Sequence, residues 1–309
     1  MPRMTGSRLP NLLLLAASVI ATLLGVEVCA RLAGWGEIME FVPDEDWGFL
    51  MRPSIVVHTY GHPVAINALG LRGPEVRDPK PPGTKRILFV GDSVTYGGSR
   101  IREEQLFCRI VESRGRGEGL NIEAVNLSAP AWAPQNWLEY VEKRGLHGAD
   151  LVVLTLPECD LARPFASLDR AGFLERAPAL RLMFLGVRFK TRFFQREVGP
   201  PQDRDEAIAA NLKAVIRLRE MCRSVPLIVL VVPSWVPQRS RQPALPKNDE
   251  LWSLFTAELT GELDLRQELQ DPAFFLDELH LSVKGHAYVG EKLFQRLRPA
   301  AFSPRSRSE

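Results

Sequence analysis

Residues 87–94 read Ile-Leu-Phe-Val-Gly-Asp-Ser-Val, and this stretch decides the fold. Four apolar residues in a row predict a strand that is buried on both faces, as in a parallel sheet. Gly91, Asp92 and Ser93 follow directly, so a serine is expected at the carboxyl end of that strand. Open parallel sheets bind their ligands in the crevice at these strand ends. The stretch therefore predicts an α/β fold and the edge of the sheet where chemistry takes place.

Three further apolar runs repeat this strand pattern, with helix-like stretches between them, at residues 122–126, 151–156 and 227–232. Such alternation predicts a doubly wound, flavodoxin-like, three-layer α/β/α domain with a mostly parallel sheet of about five strands. We place this domain at residues 85–298. An irregular lead-in with a Pro-rich linker precedes it at residues 34–84, and a polar tail at residues 299–309 is expected to be disordered.

Composition excludes several classes of function. The chain of 309 residues has a net charge of +2 and no basic run of the kind that binds nucleic acid, so no nucleic-acid partner is expected. Its four cysteines form no CxxC pair, which argues against zinc and thioredoxin-type chemistry. Cys108 and Cys222 fall on apolar helix faces and are expected to be buried free thiols. No Gly-rich phosphate loop follows the first strand, and neither a cofactor nor a metal is expected.

Residues 1–33 carry a membrane signal. An uncharged apolar run follows Arg3 and Arg8, and its helical continuation is long enough to cross a bilayer. Glu27 and Arg31 are spaced i,i+4 and are expected to pair at the interface. A cleaved signal peptide is the alternative, but we favour a single-pass signal-anchor helix because no small-x-small cleavage site is evident. The basic N-terminus would then stay in the cytoplasm, with the rest of the chain outside it.

Ser93 acts as a nucleophile only if a neighbouring base removes its proton. His280 is the best candidate, because it precedes the last predicted helix and follows Asp277 by three residues. At that spacing the Asp277 carboxylate can orient the imidazole from a single turn and stabilise its cationic form. We therefore predict Ser93, Asp277 and His280 as the catalytic residues of a serine esterase, with activity that falls below about pH 6 as the imidazole becomes protonated.

Two blocks resemble the SGNH/GDSL hydrolases: residues 87–97, Ile-Leu-Phe-Val-Gly-Asp-Ser-Val-Thr-Tyr-Gly, and residues 277–281, Asp-Glu-Leu-His-Leu. The Asn-Ala-Leu-Gly-Leu-Arg-Gly stretch at residues 67–73, together with the linker and the anchor, resembles a membrane-anchored bacterial branch that often accompanies exopolysaccharide systems. The resemblance implies that Ser93 is the nucleophile and His280 its base. It also implies an ester or acylated-carbohydrate substrate, an esterase or O-acetyltransferase activity, and room for a membrane acyltransferase as partner.

The resemblance further implies an oxyanion hole at Ser93, Ala131 and Cys159, and two of these positions depart from the family pattern. Ala131 stands where the family has Gly, and it can donate its N–H provided that its φ need not be positive. Cys159 stands where the family has an Asn side-chain donor, and a thiol donates weakly. Losing one such donor lowers a rate by roughly 10²–10³. Either another group substitutes, with Ser128 and Asn136 the nearest polar candidates, or the enzyme is slow, or the domain does not catalyse.

Two alternatives therefore stay open at this point. The chain is either an ester hydrolase or O-acyl transferase working through an acyl-enzyme, or a degenerate domain kept as a carbohydrate-binding or assembly module. A second choice concerns residues 161–199, a predicted helical insertion rich in Arg and Phe. It is interpreted either as an amphipathic lid that lies against anionic headgroups or as an ordinary helical pair with a solvated basic face.

Overall fold

The computed structural model describes residues 8–32, 37–181, 183, 204–233 and 263–302. Helix α1 (Arg8–Leu32) is followed by two antiparallel hairpins, β1 (Phe41–Asp44) with β2 (Gly48–Met51) and β3 (Ile55–Thr59) with β4 (His62–Ile66). The α/β domain then contains β5 (Lys85–Gly91), α2 (Ser93–Tyr96), α3 (Phe107–Gly117), β6 (Ile122–Ser128), α4 (Pro134–Arg144), β7 (Leu151–Pro157), α5 (Leu168–Ala171), α6 (Arg204–Met221), β8 (Leu227–Val232), β9 (Leu263–Asp264) and α7 (Val283–Phe302).

The central sheet has the strand order β6-β5-β7-β8-β9, and every neighbouring pair is parallel. The first strand of this domain thus lies inside the sheet, between the second and the third, which is the flavodoxin-like doubly wound order. The predicted fold class is confirmed. The strand order reverses between β5 and β7, so the ligand crevice of such a sheet is expected beside the end of β5, where Ser93 follows.

Side chains of the sheet alternate between two buried clusters because successive residues of a strand point to opposite faces. Leu88 and Val90 pack in the cluster that contains α4 and α6. Ile87 and Phe89 pack in the cluster that contains α3 and α7. Helices cover both faces, which explains why β5 is apolar at successive positions. The predicted burial of the free thiols Cys108 and Cys222 is confirmed in these layers.

The lead-in packs into the same core as the α/β domain. The first of the two clusters includes Phe49 and Val64 of the hairpins together with Leu88 of β5. Two hydrogen bonds reinforce this contact: the indole N–H of Trp132 donates to the Phe49 carbonyl at 3.0 Å, and the Asn136 amide donates to the Trp47 carbonyl at 3.1 Å. The hairpins are therefore positioned by the domain that they precede.

Within helix α1, the 24 residues Leu9–Leu32 have a mean hydropathy of 2.4 and are long and apolar enough to cross a membrane, a description that a signal sequence can also fit. The predicted pair at its end is confirmed, since Arg31 Nε lies 2.7 Å from Glu27 Oε1. The same two side chains join α1 to the α/β domain. Arg31 Nη2 donates to the Ala179 carbonyl at 2.7 Å, and the Arg181 N–H donates to Glu27 Oε1 at 2.9 Å.

Two sequence-based boundaries differ from the structure. Helix α7 continues to Phe302, so residues 299–302 of the expected disordered tail are helical, and residues 303–309 lie outside the described residues. Residue 182 and residues 184–199 of the predicted helical insertion also lie outside the described residues. Between Arg163 and Arg181 the structure has one short helix, α5, and otherwise turns and irregular chain.

Candidate active site

Ser93 stands at a sharp turn from β5 into the short helix α2. The turn needs a glycine before it, because a Cβ at Gly91 would lie 2.1 Å from Thr95 Oγ1. Asp92 caps the helix, with its Oδ1 accepting the Val94 N–H at 2.9 Å. A strand that ends in a capped tight turn holds the Ser93 hydroxyl at the edge of the sheet, 9% exposed.

His280 and Asp277 share a single turn in the loop before α7. Asp277 Oδ1 accepts the backbone N–H of Leu279 at 3.0 Å and that of His280 at 2.9 Å. Both oxygens of the same carboxylate lie 2.9 Å from His280 Nδ1. The local Asp-x-x-His spacing therefore fixes the direction of the imidazole by itself, before any contact with the rest of the chain.

The fold brings this turn to the nucleophile. His280 Nε2 lies 2.9 Å from Ser93 Oγ, although the two residues are 187 positions apart. With Nδ1–H donating to Asp277, Nε2 is left to accept the serine proton. Burial favours a raised pKa for the Asp277 carboxyl, but the N–H groups of His280 and Leu279 and the adjacent imidazole outweigh it and lower that pKa. Asp277 is therefore anionic at neutral pH and holds the His280 ring through Nδ1.

Arg72, which belongs to the 67–73 motif, anchors the loop that follows the nucleophile. Its buried guanidinium donates to the carbonyl oxygens of Tyr96 at 2.9 Å, Gly98 at 2.7 Å and Ile101 at 2.5 Å. This role of Arg72 could not be predicted from the 67–73 motif. The sequence shows only a charged residue among apolar neighbours, and that does not reveal three carbonyl partners elsewhere in the chain.

Ala131 and Cys159, two of the three expected oxyanion positions, depart from the geometry that the family pattern implies. Ala131 lies at the cavity, but its φ is +65°, in the left-handed region that its Cβ disfavours by roughly 1–2 kcal/mol. The condition stated for this alanine is therefore not met, and its N–H is presented at the expense of strain. Cys159 is only partly buried, and its thiol contacts Asp160 Oδ1 at 3.7 Å.

Neither polar residue named as a substitute donor is free for that role. Asn136 uses its amide to bind the carbonyl oxygens of Trp47 and Ala166, and its Oδ1 accepts the Ala133 N–H at 2.9 Å. Ser128 is buried and donates to Asn126. Both side chains hold the chain in place, so the suggestion that they complete the oxyanion hole is wrong. Arg163, which belongs to the predicted basic insertion, also lines the cavity, although its sequence context gave no sign of this.

Ser93, Asp277 and His280 open onto one cavity of about 810 Å³. Its other walls come largely from the lead-in and from the segment after α5, and they carry mostly apolar side chains, among them Met39, Phe41, Val57, Phe173, Leu276 and Leu279. The ring of Phe41 stacks on that of Phe173, with centroids 4.4 Å apart. Met39, Phe41, Val57 and Phe173, which are far from both motifs in the sequence, thus form part of the cavity that Ser93 lines.

His286, the other histidine near this end of the fold, is neutral and structural. It is fully buried, its Nδ1 accepts the Phe107 N–H at 3.3 Å, and its ring stacks on Phe107. Burial, assisted by the charge of Arg72, lowers the pKa of His286 to about 3. Its burial in α7 keeps it away from the role of base that was predicted for His280.

This lowered pKa predicts an acid-dependent loss of stability. In the unfolded chain His286 binds a proton near its ordinary pKa of about 6.5, whereas in the folded chain it stays neutral down to about 3. The full stability is therefore present above about pH 6.5 and declines as the pH falls, by about 2 kcal/mol at pH 5. Denaturant unfolding at pH 7 and pH 5 measures this. His286→Gln should flatten the change, and an equal slope in both proteins would contradict it.

No protein-family profile and no curated protein matches the sequence. Solved structures do match it. A lipase/acylhydrolase from Enterococcus faecalis is 16% identical, with a TM-score of 0.48 over 72% of this chain and 100% of that chain. An acetylxylan esterase from Geobacillus stearothermophilus is 14% identical, with a TM-score of 0.41 over 73% of this chain and 97% of that chain. A two-domain esterase active on acetylated mannans is 12% identical, with a TM-score of 0.43 over 71% of this chain and 50% of that chain.

Proposed function

We propose that this chain is a serine ester hydrolase of the SGNH/GDSL type that α1 holds at a membrane. The observation that carries the proposal is the 2.9 Å contact between Ser93 Oγ and His280 Nε2, with Asp277 on the opposite nitrogen of the ring. This arrangement gives the hydroxyl a base and gives the base an orienting anion. A degenerate binding module would have no need to keep these three side chains in register, so the contact favours the enzyme.

The reaction proceeds through an acyl-enzyme. Ser93 Oγ attacks the ester carbonyl while His280 Nε2 takes the hydroxyl proton, and the carbonyl oxygen becomes an alkoxide. Collapse of the tetrahedral intermediate breaks the ester C–O bond, and His280 returns the proton to the leaving alcohol. A second hydroxyl then attacks the acyl-enzyme by the reverse sequence. Water as that acceptor gives hydrolysis, and a sugar hydroxyl gives O-acyl transfer.

The walls of the cavity favour a lipid-like ester over a short acetyl ester. Aliphatic and aromatic side chains line most of the space beside Ser93, and each methylene buried against such a surface contributes about 0.8 kcal/mol. The walls also carry polar side chains, such as Glu37, Tyr60 and Arg100, but polar atoms expose less surface to the cavity than apolar atoms do. We therefore propose a medium-chain or longer acyl group as the substrate, with cell-envelope carbohydrate as a carrier or acceptor of that group.

The attachment of α1 supports the same substrate class. The backbone N–H of Arg181 donates a hydrogen bond to the Glu27 carboxylate of α1, and the Arg181 Nη2 lies 2.9 Å from Glu37 Oε1. Glu37 itself lines the cavity. One short chain of contacts thus joins the end of the apolar helix to the wall of the cavity, which supports the proposal that the cavity receives esters from the membrane that α1 would cross. We propose that Arg3 and Arg8 keep the N-terminus cytoplasmic and that the α/β domain lies outside the cytoplasm.

A series of p-nitrophenyl esters tests the proposed activity and substrate class. For full-length protein in detergent, we expect kcat/KM to rise at least about tenfold from the acetyl to the octanoyl ester, because the longer chain buries more methylene groups. Leu276→Gln, which puts a polar group on the cavity wall, should reduce this preference with little effect on the acetyl ester. Val283→Gln is the matched control, since Val283 is a similarly exposed aliphatic residue outside the cavity lining.

Each other outcome has a definite meaning. A flat series, or a best rate with the acetyl ester, would contradict the acyl-chain proposal and point to an acetylated carbohydrate. The absence of turnover with every ester would contradict the hydrolase itself.

A further inference from the structure

Arg163 occupies the space between the nucleophile turn and the loop after β7. Its Nη2 lies 2.8 Å from Asp160 Oδ1 and 3.7 Å from Cys159 Sγ. Its Nη1 lies 3.3 Å from Asp92 Oδ2 and 3.4 Å from the Trp132 carbonyl oxygen. The guanidinium therefore touches all three segments that the oxyanion hole of such a hydrolase would be built from.

The guanidinium is held in place and permanently charged. Asp92 and Asp160 are both fully buried, whereas the Arg163 side chain is 21% exposed. Burial opposes the charged form of Arg163, but the two carboxylates outweigh burial and raise its pKa. Burial raises the pKa of the Asp160 carboxyl well above its usual range, while Arg163 opposes that shift. The effect of Arg163 on a reacting group therefore comes from direct N–H contact. The two contacts of Nη1 are longer than the usual 2.9–3.0 Å and can be exchanged for a stronger acceptor.

The exposed part of Arg163 faces the cavity. Arg163, Ser93 and Ala131 are all among the described residues that line it, whereas Cys159 is not. Cys159, which stands in place of the expected Asn donor, thus does not line the cavity, whereas the Arg163 cation does.

We propose that Arg163 donates to the alkoxide of the tetrahedral intermediate on Ser93 and so supplies the donor that Cys159 lacks. Nη1 exchanges its long contacts with Asp92 and the Trp132 carbonyl for the oxyanion, while the backbone N–H groups of Ser93 and Ala131 supply the other two donors. No covalent bond of Arg163 breaks, and the guanidinium keeps all its protons. The inference rests on the proposed ester chemistry, and it makes Arg163 a catalytic residue as well as a counter-ion.

Cys159→Asn is the first test, because it restores the amide donor while Arg163, Asp92 and Asp160 all stay in place. If Arg163 already serves, turnover of the octanoyl ester should change by less than about fivefold. If the hole lacks a third donor, the added amide should raise kcat by roughly 10²–10³. That large gain would overturn the inference.

Arg163 itself is tested in both backgrounds. Arg163→Gln should lower kcat by roughly 10²–10³ with less than about threefold change in KM, and Arg163→Lys should lower it less. Combined with Cys159→Asn, the same Arg163→Gln change should cost less than about tenfold, because the amide replaces the lost donor. An equal loss in both backgrounds would show that Arg163 only balances Asp92 and Asp160. Thermal unfolding of each variant, compared with Arg163→Lys, separates a folding defect from a catalytic one.

Failure of this inference is distinguishable from failure of the proposed function. A wild-type protein that cleaves no ester and takes no fluorophosphonate on Ser93 would remove the ester chemistry altogether. A wild-type protein that reacts normally, beside folded Arg163→Gln with unchanged kcat, would remove only the role of Arg163.

Discussion

Replacement of Ser93 by alanine should abolish ester turnover, with a fall in kcat of at least about 10⁴-fold. Ser93 Oγ is the hydroxyl that lies 2.9 Å from His280 Nε2, so its removal leaves the base with no alcohol to activate. Wild-type protein should also become covalently labelled by a fluorophosphonate, which reacts only with an activated serine, and Ser93→Ala should not. Hydrolysis rates and in-gel labelling of detergent-solubilised protein measure the two effects.

Ser113→Ala is the matched control for this experiment. Ser113 is an exposed serine on α3, and its loss should leave both labelling and turnover unchanged. Equal labelling of wild type and Ser93→Ala would remove Ser93 as the nucleophile. Cells that keep the full phenotype with Ser93→Ala, but lose it when the domain is deleted, would favour a binding or assembly module over an enzyme.

The second large effect is expected for His280→Gln, which should lower kcat by about 10⁴-fold or more while the protein stays folded. Glutamine keeps a polar side chain on the loop before α7 but cannot take a proton from Ser93. The result should hold at every pH at which the wild type is active, because the other described side chain that contacts Ser93 Oγ, Asp92 at 3.2 Å, is already engaged by Arg163. Steady-state kinetics of purified protein measure it.

His286→Gln is the control, because it removes a histidine of the same region that faces the core. It should change acid stability, as described above, and leave kcat within about threefold at neutral pH. If His280→Gln retained most of the activity, the contact between His280 and Ser93 would have no catalytic meaning. If His286→Gln lost as much as His280→Gln, the effect of both would be ascribed to folding.

The parts of the site that were predictable from sequence are those set by local geometry. The strand before Ser93 is apolar at successive positions because helices cover both faces, and this pattern is legible in residues 87–90. Asp277 and His280 interact within one turn, so their spacing alone predicts their contact. The meeting of His280 with Ser93 followed from placing both at the edge of an α/β sheet.

The parts that were not predictable depend on long-range packing and on backbone conformation. Arg163 was grouped with its basic neighbours, and its contact with Asp92 spans 71 positions that no short motif records. The glycine that the family has at the position of Ala131 indicated that a positive φ was possible there, but the alanine itself could not show that the turn after β6 adopts it. The packing of the lead-in against the α/β domain could not be predicted either. Its strands are too short to show a periodicity that reveals burial against a distant domain.

The 187 positions that separate the hydroxyl from its imidazole have a consequence for how the protein is made. During synthesis the serine emerges well before its base, because residue 280 must leave the ribosome and fold back onto the sheet before the two side chains can meet. Under the proposed mechanism, unfinished copies and fragments cut before residue 280 lack the base and should not turn over esters.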